Sequence, residues 1–137
     1  MIYMKKMITL LFVATLFISC SNDDSDTPNL RENVSINPPS WIQGTWVNEE
    51  YLEFGFRFTT NDVFIITDGS EISYVNVFRM DASSAFTDLY DTTSNTKYSI
   101  FEKTAASDLL MFQFTKVSNT EIGMSQYGSD SITLKKQ

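Results

Sequence analysis

The strongest constraint on how this chain folds is an alternation of apolar and polar residues that recurs throughout residues 41–137. In residues 51–58, Leu52, Phe54, Phe56 and Phe58 fall on one face, and Tyr51, Glu53, Gly55 and Arg57 on the other. A period of two marks a half-buried β-strand, because successive strand side chains point to opposite faces. Asn61-Asp62 interrupts the pattern, residues 63–67 resume it as a buried strand, and Asp68-Gly69-Ser70 is a hairpin turn signal. Further strands are expected over 44–48, 72–79, 97–103, 109–116, 120–125 and 131–135. Turns at Ser118-Asn119 and Gly128-Ser129-Asp130 separate the last three. That makes eight short strands, with no helical stripe of useful length. The least regular stretch, 80–95, reads as a long loop or a short helix beginning near Ser83-Ser84.

Eight antiparallel strands in a single small domain suit an all-β, closed up-and-down barrel, which removes exposed strand edges. The pattern alone leaves a two-sheet β-sandwich open as the alternative. Aromatic residues make up 14% of the chain, eleven of them Phe, which is ample for filling so small an interior. One local motif favours the barrel. Ile42-Gln43-Gly44-Thr45-Trp46 resembles the Gly-x-Trp opening of lipocalins and their barrel relatives. The resemblance implies that Gly44 turns the chain into the first strand. It also implies that Trp46 closes the base beneath a basic side chain of the last strand, a place open to Lys135 or Lys136.

The first twenty residues have a different character. Lys5 and Lys6 precede an uncharged, mainly apolar run over 7–18, too short for the roughly 20 residues that span a bilayer. It reads as the core of a signal peptide. Leu16-Phe17-Ile18-Ser19-Cys20 resembles the lipobox of bacterial lipoproteins, in which a small residue precedes a modified cysteine; Phe17 stands where the family usually has Leu. The resemblance implies cleavage after residue 19, and diacylglycerol and palmitate-type acyl chains on Cys20, the chain's one cysteine. Each buried methylene contributes about 0.8 kcal/mol, so several acyl chains hold a protein to a membrane where one alone does so only marginally. Asp23, Asp24 and Asp26 follow at once. They resemble the acidic surface-export signal of lipoproteins in one large phylum of Gram-negative bacteria, and so imply an outer-membrane protein facing the cell surface. The spacing of Asn22, Asp24 and Asp26 also imitates a calcium loop, but Thr27 and Asn33 occupy its glycine and closing glutamate positions.

Residues 20–40 lack aromatics and hold all three prolines, so the expected organisation is a signal peptide over 1–19, a lipidated flexible linker over 20–40 and a barrel domain over 41–137. A twenty-residue random coil reaches roughly 25 Å, enough to clear lipid headgroups.

Much chemistry is excluded by composition. Without histidine there is no Ser-His-Asp triad and no Cys/His zinc site. No glycine-rich phosphate loop is present. After removal of a leader holding Lys5 and Lys6, 17 acids face 8 bases, the opposite of a nucleic-acid footprint. Glu49, Glu50 and Glu53 form the one tight acidic group of the domain and read as solvated surface, the first two on opposite faces of a strand junction. Asp88 and Asp91 are the weakest kind of candidate for a hard-metal site. The expectation is a protein with no catalytic residues, cofactor or metal, tethered through Cys20 and serving as a binding or accessory module for a protein partner at the outer membrane. Two alternatives stand beside it. One is a lipocalin-like carrier whose interior, lined by Leu52, Phe54, Phe56, Phe58, Phe112 and Phe114, holds a small apolar ligand. The other is a protective inhibitor of a basic cell-wall hydrolase, drawn by a domain of 13 acids and 7 bases.

Overall fold

The computed structural model describes residues 32–81 and 85–137. Among these residues ten strands and one helix follow one another: β1 (Val34–Ser35), β2 (Gly44–Val47), β3 (Gly55–Phe58), β4 (Val63–Thr67), β5 (Ser70–Ser73), α1 (Tyr74–Met80), β6 (Phe86–Thr93), β7 (Lys97–Thr104), β8 (Asp108–Lys116), β9 (Glu121–Gln126) and β10 (Ile132–Lys136). All ten strands belong to one sheet, ordered β1-β6-β7-β8-β9-β10-β2-β3-β4-β5. The fold is therefore all-β and barrel-like: one sheet curled into a half-barrel, not the two stacked sheets of a sandwich. Two meanders, β2 to β5 and β6 to β10, are joined where β10 pairs with β2 through Lys135↔Val47 and Lys136↔Trp46. Neighbours are antiparallel throughout except β1, which lies parallel to β6.

The inward face carries the residues that the alternation selects. Trp46, Phe56, Tyr98, Ile100, Phe114, Ile122 and Leu134 are fully buried. Their rings meet edge to face: Phe58 lies 4.9 Å from Phe114, Phe56 lies 5.1 Å from Phe114 and 5.4 Å from Phe112. Such pairs contribute about 0.5–1.5 kcal/mol each beyond the area they bury. The β4–β5 hairpin turns on Asp68 and Gly69, with φ of 50° and 74°, a pair of left-handed residues whose twist matches that of the strands.

The elements differ from the sequence expectation in several places. The chain forms ten strands where eight were expected, and β5 and β1 remain as edges of the sheet, so closure by pairing is incomplete. Expected strand 51–58 shortens to Gly55–Phe58, and Leu52, expected inside, stands 69% exposed in a turn. Expected strand 72–79 becomes mostly helix. Ser73 caps α1 by accepting from the Asn76 amide at 3.0 Å, and Tyr74, Val75 and Phe78 turn one face into the core. Asp62 supports this junction, accepting from the Ser73 hydroxyl at 2.6 Å and from the Val63 and Val75 amides at 2.7 and 3.3 Å. The residues near Ser83-Ser84, where a helix start was expected, lie outside the described set, while 86–93 form β6 and not a loop. Alternation puts Leu89, Asp91 and Thr93 on one face of β6, and a register shift between Phe86 and Asp88 turns Phe86 onto the core as well. The apolar residues of its inner side therefore do not fall at a regular period of two. Finally, the sheet begins before the expected boundary at residue 41: β1 pairs with β6, and Ile36 is 4% exposed.

Candidate binding site

Antiparallel neighbours place turns alternately at two ends. The β3–β4, β6–β7 and β8–β9 turns share one end, which residues 36–43 cross from β1 to β2. Ile36 and Ile42 are buried there, Trp41 donates its indole N–H to the Ser94 carbonyl at 3.1 Å, and Trp46 donates to the Ile42 carbonyl at 2.6 Å. Of the two lysines weighed for the place over Trp46, Lys136 holds it, its ammonium 5.2 Å from the ring centroid. Lys135 instead forms an ion pair with Glu121. Two glycines let the chain pack closely around Trp46, Gly44 at this end and Gly55 at the far end of the β2–β3 pair. Gly44, at φ 115°, would bring a Cβ within 3.1 Å of Lys136 Cε, and a Cβ on Gly55 would lie 2.2 Å from the Trp46 carbonyl oxygen. The Gly-x-Trp pair therefore sits at a closely packed base.

Inside the barrel the Glu102 carboxylate and the Tyr74 and Tyr98 hydroxyls are buried. Glu102 on β7, 7% exposed, accepts from the Tyr74 hydroxyl at 2.7 Å. Burial, then the Glu102 carboxylate, hold the Tyr74 proton far above the ordinary phenol range. Tyr98 is raised likewise, by burial first and then by Asp91, whose charge and hydrogen-bonding carboxylate both act on the phenol, although the hydroxyl makes no hydrogen bond of full geometry among the described residues. Neither arrangement is poised for proton transfer near neutrality, since both phenols stay protonated.

The other end bears the β2–β3, β4–β5, β7–β8 and β9–β10 turns. Pairing of β2 with β10 stops at Val47, and a cleft of about 480 Å³ opens between residues 48–54 and the start of β10. Asn48, 9% exposed, organises it. Its carboxamide oxygen accepts from the Glu50 and Tyr51 amides at 2.8 and 2.9 Å, closing an Asx turn, and its nitrogen donates to the Thr133 carbonyl at 3.4 Å. The turn is thus pinned to β10 while Tyr51 and Leu52, each 69% exposed, project into water. Glu49 and Glu50, expected on opposite faces of a strand junction, both line this cleft with Phe54 and Ile132, because the Asx turn replaces the strand there.

Cys20 and Asp23, Asp24 and Asp26 lie outside the described residues. Asp88 and Asp91 are not brought together: three residues apart on β6, they take opposite faces, and Asp91 accepts from the Asn37 amide at 2.5 Å. Among the described residues, no three His, Cys, Asp or Glu side chains gather at metal-binding range. Compared with protein-family models, curated proteins and solved structures, the chain matches none. The cleft escaped sequence reading because Tyr51 and Leu52 continue the alternation of residues 54–58, which disguises a turn as a strand. The one local signal was Asn48 itself, since Asn favours Asx turns.

Proposed function

We propose that this protein is a lipid-anchored, non-enzymatic binding lipoprotein of the outer membrane, held through Cys20, displayed at the cell surface and serving as an accessory module of a protein complex. The anchor rests on the lipobox-like run ending at Cys20 and the export-like Asp23, Asp24 and Asp26. The observation that carries the binding role is a contrast in where the large apolar side chains go. Aromatic rings occupy the barrel's interior, yet Tyr51 stands exposed in the lining of a cleft of about 480 Å³, with Leu52, next to it in the chain, equally exposed. Exposed apolar side chains grouped at a concavity lower the solubility of a lone domain and fit a surface that a partner covers. The same ring packing occupies the volume that a lipocalin-like carrier would reserve for its ligand, so this reading puts the partner site outside the barrel.

Two experiments test the two halves. Metabolic labelling with a fatty acid should mark the wild type and not Cys20→Ala, and persistent labelling of the variant would move the anchor elsewhere. Affinity capture from native membranes, followed by mass spectrometry, should return a stoichiometric protein partner. Recovery of the chain alone would contradict the binding role.

A further inference from the structure

We infer that the cleft between the β2–β3 turn and β10 receives a cationic protein segment, one presenting lysine or arginine beside apolar side chains. This rests on the binding-module reading and names the chemistry of the partner. The apolar component is set by Tyr51 and Ile132, 69% and 37% exposed in the cleft lining, and by Leu52, 69% exposed beside Tyr51 in the same turn. Side chains of this kind act as anchors when a partner excludes water from them.

The charge component follows from topology. Glu49, Glu50 and Glu53 surround Tyr51 and Leu52, and the neighbouring turns at the same end add Asp68 and Asp130. Most of the described bases lie away from this turn or pair with other carboxylates; Lys103 stands at the same end, but beside Asp88 and Asp108 at the β7–β8 turn. Arg57 holds Glu71 in a bidentate pair and Lys135 holds Glu121. Lys97 and Lys116 flank turns at the opposite end, and Lys136 covers Trp46. No basic residue occurs in residues 48–54 or 127–131. The rim therefore combines apolar anchors with an excess of carboxylates, Glu49 lying within electrostatic reach of Lys135, which Glu121 already holds. Such a rim attracts positive partners and repels anionic lipid headgroups and nucleic acid. Asn48 fixes the turn beforehand, so little ordering accompanies binding.

The test titrates the full chain into a fluorescent peptide of alternating lysine and leucine, with a glutamate–leucine peptide of equal length as control, read by anisotropy at low and moderate salt. The lysine peptide should bind, and salt should weaken it. The triple variant Glu49→Gln, Glu50→Gln, Glu53→Gln should weaken binding about tenfold or more, Tyr51→Ala with Leu52→Ala by a similar factor, and Asp88→Asn should leave it unchanged. If the glutamine variant unfolds, a lysine triple variant at the same positions should gain affinity for the glutamate peptide. Equal binding of both peptides, or indifference to every change in the turn, overturns the inference. Membrane capture keeps the two failures apart. A partner that is retained by the glutamine variant removes only the cationic assignment, whereas recovery of the chain alone removes the binding module itself.

Discussion

Trp46 is the residue on which most of the base depends. It is fully buried, bonded to the Ile42 carbonyl and covered by Lys136. Trp46→Ala should cost about 3–5 kcal/mol, a large part of the ~5–15 kcal/mol a small domain possesses, and urea titration should find it barely folded. An unchanged midpoint would mean that the base is held by something else. Gly55 and Gly69 make a paired comparison. Gly69, at φ 74° with nothing near its missing Cβ, should lose only the ~1–2 kcal/mol of left-handed strain on substitution by Ala. Gly55→Ala meets the Trp46 carbonyl oxygen at 2.2 Å and should be far worse. The role of Trp46 was legible because a short motif carries it, and that of Gly55 was not, because it depends on the register Val47↔Gly55. The buried phenols set the alkaline limit. Their folded pKa values lie above the unfolded value of 10.0, so the stability they confer is complete below about pH 10 and drains away as pH rises further. Tyr98→Phe should flatten that alkaline loss and leave neutral-pH stability unchanged or higher, since the buried hydroxyl it removes lacks a hydrogen bond of full geometry and faces Asp91 only weakly. A clear fall at neutral pH would show that the hydroxyl is bonded.

At the scale of elements, local propensity and tertiary structure part company at α1. Tyr74-Val75-Asn76-Val77-Phe78 is rich in β-formers and reads as a strand, yet Asp62 and Ser73 cap it as a helix that buries Tyr74, Val75 and Phe78 on one face and leaves Val77 exposed. That outcome depends on an aspartate eleven residues upstream of the cap, a separation that no local pattern reports. Ser73→Ala should cost about 0.5–2 kcal/mol by denaturant titration, the usual range for a lost cap. Asp62→Ala should cost more, because it strands three donors at once. If Asp62→Ala is the milder of the two, the junction is held by packing and not by the carboxylate. Strands β4, β7, β8 and β9, by contrast, were legible to within a residue or so, since both their alternation and their flanking turns survive in the fold. The bulge at Met111, between the pairs Ile100↔Phe112 and Phe101↔Leu110, left no trace in the sequence.

For the molecule as a whole, the proposed tether and the barrel divide the work: one sets the location and the other presents a rim. Replacing Asp23, Asp24 and Asp26 with Ala should keep acylation intact while withdrawing the protein from surface proteolysis on whole cells. Equal cleavage of variant and wild type would reduce those aspartates to a spacer. The barrel-like class was legible from alternation alone, but the cleft was not, because it arises where β10 outruns β2 and a turn is pinned across the gap. The central claim, that this rim is covered by a partner in place, is reached most directly by radical footprinting of Tyr51 and Leu52 in the purified chain and in intact envelopes. The account predicts heavy labelling of both in the purified chain and strong protection in the envelope, with Val117 at the opposite end labelled alike in the two. Equal labelling of Tyr51 and Leu52 in both samples would contradict it.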